Sequence, residues 1–127
     1  MSEVHATVRE RDARQVDCEL EAVYTASQEL ITRTRDERLR VISSGCVVAR
    51  QLVGDRSKHP ENRCILPREL ADNGSVARYL AEHLARACEL ILAVDDPHAR
   101  AAILALTPAV ELVRAARAAR RAGGSNG

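Results

Sequence analysis

The sequence predicts an all-α fold, an antiparallel bundle of four main helices in one domain over residues 1–127. Three observations predict it. The apolar residues are mostly Ala, Leu and Val, with no Phe, no Trp and only Tyr24 and Tyr79. Ala and Leu favour helices, whereas strands draw on β-branched and aromatic residues. Apolar positions recur at alternating steps of three and four, the spacing that gives a helix one greasy face. Helix-start signals and chain breakers separate these runs. With 46% apolar and 29% charged residues, a chain of 127 residues suits one folded core; it is too short for two.

The first helix is expected over Val8–Arg33, with Ala13, Val16, Leu20, Val23, Ser27 and Leu30 as its seam. Thr34-Arg35-Asp36-Glu37 reads as a capping box, a hydroxyl answered three residues later by a Glu, and so as a turn. The alternative is one continuous helix through both segments. The second helix, Arg35–Val53, carries Leu39, Ile42, Cys46, Ala49 and Val53, and Val41, Val47 and Val48 widen its apolar face. Residues 54–75 form a long connection broken by Pro60, Pro67 and Asn73-Gly74, with a single helical turn expected over Pro67–Ala71. Connections of this length are uncommon in small domains and are often either functional or mobile.

Ser75 is read as the cap of a third helix to Val94, whose seam is Ala77, Leu80, Leu84, Ala87, Ile91 and Val94. Asp96-Pro97 then supplies an N-cap and a first-turn proline. The fourth helix carries Ile103, Leu106, Val110, Leu112 and Val113 to about Arg121, with a split or kink at Pro108. Residues 1–7 and 122–127 are expected to fray.

Several function classes find no support in the residues. The net charge of +1 gives no global field toward nucleic acid or an anionic membrane. No run approaches the roughly 18 apolar residues of a membrane span, and the acidic-polar N-terminus lacks a signal-peptide core. A cytoplasmic location follows, where Cys18, Cys46, Cys64 and Cys88 stay reduced. His59 and Cys64 share a spacing of five with His83 and Cys88. Residues five apart on a helix point about 140° away from each other, so no metal site is specified, and no cofactor is expected. Ser43-Ser44-Gly45-Cys46 lies within a helix, not at a strand-to-helix elbow. It reads as a place where a neighbouring helix comes close, not as a nucleophile.

Three constellations remain. Arg78-Tyr79-Leu80-Ala81-Glu82-His83 resembles the R-x4-H motif of HEPN-type ribonucleases, small helical bundles that cut RNA at a dimer interface. The resemblance covers six residues and the helical architecture. It departs from the family in placing Tyr79 where active members carry a small polar residue. It implies Arg78 and His83 as catalytic residues, the Arg charging the phosphorane and the His moving protons near neutral pH. Arg114, Arg117 and Arg121 share a face of the last helix and suit phosphate contacts, although cations in a last turn also stabilise a helix through its dipole. Finally, Val41, Val47, Val48 and Leu52 exceed what a bundle of this size should bury. That surplus predicts an interface with a second copy or another protein. The leading expectation is therefore a non-enzymatic helical interaction or regulatory protein. The ribonuclease and the nucleic-acid-contacting regulator are its alternatives.

Overall fold

A computed structural model describes residues 2–53, 66–94 and 97–126, with side chains over 13–53, 66–94 and 97–121. Among the described residues the chain forms four α-helices: α1 (Ser2–Thr34), α2 (Arg40–Val53), α3 (Asn73–Leu92) and α4 (Pro97–Asn126). No strand occurs among the described residues.

The first two helices are separate, and the turn between them is capped differently from the expectation. Arg35 takes the left-handed conformation, φ 58°, and its N–H donates to the Ile31 carbonyl at 2.8 Å, closing α1. The Thr34 hydroxyl donates back to the Leu30 carbonyl at 2.7 Å and accepts from the Asp36 N–H at 3.2 Å, within the turn. The N-cap of the 3-10 turn that follows is Asp36. Its carboxylate accepts from the Arg38 N–H at 3.1 Å and from the Arg38 guanidinium at 2.8 Å, opening a short 3-10 turn over Glu37–Leu39. The same hydrogen bonds hold the Asp36 carboxyl below the usual carboxylate range.

At α3 the cap is likewise three residues earlier than Ser75. The Asp72 carboxylate accepts from the Ser75 N–H at 2.7 Å and from its hydroxyl at 3.0 Å. Ser75 therefore occupies the first turn as the cap's partner, and Asn73-Gly74 belong to the helix. Before it, the Leu70 N–H bonds the Pro67 carbonyl at 3.1 Å, which makes Pro67–Leu70 a turn.

Nor does α4 split at Pro108. The helix runs through it, and on past the expected end at Arg121 to Asn126. Proline removes one N–H, so the carbonyl of Leu104 loses its partner four residues on. Leu104 is 73% exposed and Pro108 also faces solvent, so water can take the freed carbonyl.

The four helices pack as a square. α1 and α4 each contact both α2 and α3, while the pairs α1/α4 and α2/α3 stand on the diagonals. The end of α1 lies beside the start of α3, where the Arg33 guanidinium donates to the Ala71 carbonyl at 3.1 Å. Leu30, Leu39, Ala77 and Val113 meet in one small cleft, so the starts of α2 and α3 share that end with the later part of α4. Every side of the square is therefore antiparallel. α2 and α3 run the same way, so the chain must return the length of the bundle between them. Of that return, residues 54–65 lie outside the described residues, and Leu66 and Leu70 pack on the core.

The core takes most of the predicted seam positions, but α3 buries Val76 in place of Ala77, and α4 turns Ala99, Ala102, Leu106 and Ala109 inward while Ile103, Val110, Leu112 and Val113 are only partly buried. Val16, Leu20, Val23 and Leu30 meet Ile42, Cys46 and Ala49, Val76, Leu80, Leu84 and Ile91, and Ala102 and Leu106. Its many alanines let the axes approach closely. Gly45 takes this furthest: a Cβ there would stand 2.9 Å from the Ala105 carbonyl oxygen of α4.

Candidate functional site

The outward face of α2 comes first, because the sequence points to it. Val41, Val47 and Val48 are 41, 43 and 44% exposed, and Leu52 is half-buried against the core. The four do not form one patch. At about 100° per residue, Val41, Val48 and Leu52 lie within about 60° of Gly45, on the flank that borders α4. Val47 sits about 100° further round, within about 40° of Ser43. Ser43 faces α1: its hydroxyl stands 2.7 Å from that of Ser27 and accepts from Gln28 at 3.0 Å. Val47 therefore belongs to a different flank from the other three. Gln51 and Ser44 edge the valine stripe, and the cations of α2 are matched within the chain. Arg40 pairs with Glu37, and Arg50 with Asp17 at 2.8 Å.

Arg78 and His83 are not brought together within one subunit. His83 turns toward α1, where Nδ1 meets the Glu19 carboxylate, and the Tyr79 ring packs on the imidazole with centroids 4.2 Å apart. Arg78 projects from the other side of α3, into a groove shared with α4. A carboxylate behind a histidine fixes its ring, but here both partners are largely covered, their side chains 9 and 19% exposed. The arrangement clamps α1 to α3, and Tyr79, which breaks the ribonuclease pattern, serves as packing for that clamp.

The arginines of α4 are exposed, but the set differs from the one the sequence suggested. Arg117 and Arg121 line the groove with Arg78. Arg120 joins them, and Arg114 lies outside the lining.

A polar layer on α1 was not foreseen. Asp17, Glu19 and Glu21 are all buried, Asp17 to 1% exposure. Asp17 and Glu21 reach one way, to Arg50 of α2 at 2.8 and 3.9 Å, and Glu19 the other way, to His83 of α3. Each acid flanks the seam by one position, which made it look solvent-facing in the sequence. The serine pair is satisfied as a relay. Ser27 donates to the Tyr24 carbonyl at 2.7 Å, so Ser43 must supply the proton between the two hydroxyls. Among the described residues, no group of three or more His, Cys, Asp or Glu is placed to hold a metal ion. His59 and Cys64 lie outside them.

No family model, no curated protein and no solved structure matches this chain.

Cys46 sits in the middle of this layer and is chemically quiet. Burial pushes its thiol from an ordinary 9.0 up to about 12, against the smaller opposing pull of Arg50. The folded chain thus keeps a proton that the unfolded chain releases between pH 9 and 12. Stability is expected to fall as pH rises through that window, by about 1 kcal/mol per unit, and to be insensitive to this group below it. Urea midpoints at pH 8, 9 and 10, compared with Cys46→Ala, check this: the variant should show the shallower slope.

Proposed function

We propose that this chain is a non-catalytic helical interaction protein that pairs with a second copy of itself through the α4-side flank of α2. The observation that carries the reading is the apolar stripe of Val41 and Val48, both left open, with Leu52 half-buried at its end, on a helix whose arginines are both paired internally. Positions 41, 48 and 52 recur at steps of seven and four, a spacing that keeps them on one face of the helix. A two-fold axis across that face would set valine against valine without opposing unpaired charges. A charged partner would find little to grip there, which favours self-pairing over an acidic or basic target. We place the protein in the cytoplasm, a reading supported by the free state of Cys18, Cys46 and Cys88. No helix among the described residues is long and apolar enough to cross a membrane.

The test is light scattering at tens of micromolar. Wild type should give twice the subunit mass, and Val41→Glu/Val48→Glu the single mass with an unchanged helical spectrum, because both side chains are already partly in water. A wild-type monomer at that concentration removes the proposal. Cleavage of total RNA by wild type and not by His83→Ala would replace it with the ribonuclease, which within one subunit would need two side chains about 140° apart to meet one phosphate.

A further inference from the structure

A second surface is built by residues that the self-pairing flank does not use. At the end of the bundle where α1 stops and α3 begins, Arg78 of α3 and Arg117, Arg120 and Arg121 of α4 line one open groove of about 390 Å³. Ala81 and Ala85 complete its lining, with Glu82 as its one acid among the described residues. None of the four guanidiniums pairs with a carboxylate among the described residues.

Convergence separates this cluster from an ordinary solvated face: four guanidiniums from two helices line one groove, whereas Arg33, Arg38 and Arg40 are each matched locally by Glu29, Asp36 and Glu37. Here Arg117 has Arg120 three and Arg121 four residues on, neighbours on the helix surface whose like charges destabilise it. The helix dipole does not account for them. Its effect fades beyond the last turn, and α4 continues past Arg121 to Asn126, leaving no basic residue in its last turn. Arg78 then adds a fourth charge from another helix.

We propose that this groove binds the phosphate backbone of a nucleic-acid duplex. Guanidinium forks match phosphate oxygens two at a time. The lining holds no aromatic ring, so it offers no platform for an unpaired base and does not suit a single strand or a free nucleotide. The groove is open, and its charges are spread over two helices whose axes lie about 8–10 Å apart. A duplex brings dense, rigidly spaced charge to such a patch, whereas a flexible acidic peptide must first be ordered. With a net charge of only +1, the attraction is local and strongly salt-dependent.

The experiment is fluorescence anisotropy with a labelled duplex DNA of about 20 base pairs, titrated with the full chain across a series of salt concentrations. Wild type should bind in the micromolar to 100 μM range at about 50 mM salt, with a log–log salt slope of about −3 to −4 for four phosphate contacts. Arg78→Ala/Arg117→Ala should weaken binding about tenfold or more and flatten the slope by about 2, since each lost contact removes about one counterion. Arg120→Ala/Arg121→Ala provides the same readout should the first pair perturb the fold. Arg14→Ala, exposed toward the other end of the bundle, should leave binding unchanged. The self-pairing variant Val41→Glu/Val48→Glu should still show the salt slope, so failure of one proposal is distinguishable from failure of the other. Absence of binding at about 100 μM protein and 50 mM salt overturns the inference, as does an unaltered slope in both arginine pairs. Competition by poly-glutamate as effective as by unlabelled duplex overturns it too, in favour of a carboxylate-binding surface.

Discussion

Gly45→Val is expected to cost the fold about 3 kcal/mol, a large fraction of a small domain's margin. The position lies mid-helix, where glycine is ordinarily the worse choice by up to about 1 kcal/mol against alanine. That intrinsic gain is available to any replacement, yet a Cβ here would meet the Ala105 carbonyl oxygen at 2.9 Å and the Leu106 side chain at 3.7 Å. The first is backbone and cannot swing away as a side-chain tip can. α2 and α4 would have to part, and the buried contacts of Ile42, Cys46, Ala102 and Leu106 would loosen with them. Alanine should show the two terms nearly cancelling or a modest loss, and valine the full clash. Thermal unfolding followed by circular dichroism reads this directly, about 3 kcal/mol corresponding to a drop of roughly 10 °C for a chain of this size. An increase in melting temperature for Gly45→Val would mean that the helices do not approach as closely as described.

The same close approach shows what could be read from the residues and what could not. The seams of Leu20, Ile42, Leu84 and Ile91 are legible because burial imposes the helical period on the sequence. The small residues of Ser43-Ser44-Gly45 likewise announce a near neighbour, though not which helix it is. Caps are less legible, because Thr34 and Asp36, or Asp72 and Ser75, are all acceptable cap residues. Which one wins depends on where the backbone is extended just before the turn, and that is at Asp36 and Asp72. Pro108 reads as a break from local chemistry alone. Its missing N–H is tolerable because that side of α4 is wet, and wetness is a tertiary fact. The division of the valines is illegible for a related reason: counting apolar residues on α2 does not separate Val47 from Val48, which lie about 100° apart. Arg78 was seen, but as a partner of His83 five residues along the same helix. Its neighbours in space are Arg117, Arg120 and Arg121 of another helix, and nothing in the local sequence links them.

The buried acids of α1 are the feature least visible in the sequence, and they supply the second large expected effect. Arg50→Met should cost about 3 kcal/mol, whereas Asp17→Leu should cost clearly less. The asymmetry follows from exposure. Asp17 has a side chain only 2% exposed and Glu21 one of 10%, so removing the guanidinium takes a shared cation from two covered carboxylates four residues apart on one helix face. Arg50 is 32% exposed and can turn toward water or Glu21 when Asp17 is lost. The double variant Asp17→Leu/Arg50→Met should recover much of the loss, because two apolar groups of suitable size replace a pair that pays a desolvation penalty. Urea unfolding of the four proteins closes the cycle, and a coupling above about 1 kcal/mol is the expected result. If the two single losses are equal and simply add, the pair is solvated and holds nothing. The layer should matter for more than stability. A core of Ala, Val and Leu without large aromatic rings fits together in more than one rotation of its helices. Asp17 reaching to α2 and Glu19 to α3 from opposite sides of α1 fix one rotation. The double variant should therefore keep its helix content and most of its stability, yet show broadened amide resonances around α1. A spectrum as sharp as that of the wild type would assign the choice of rotation to apolar packing alone.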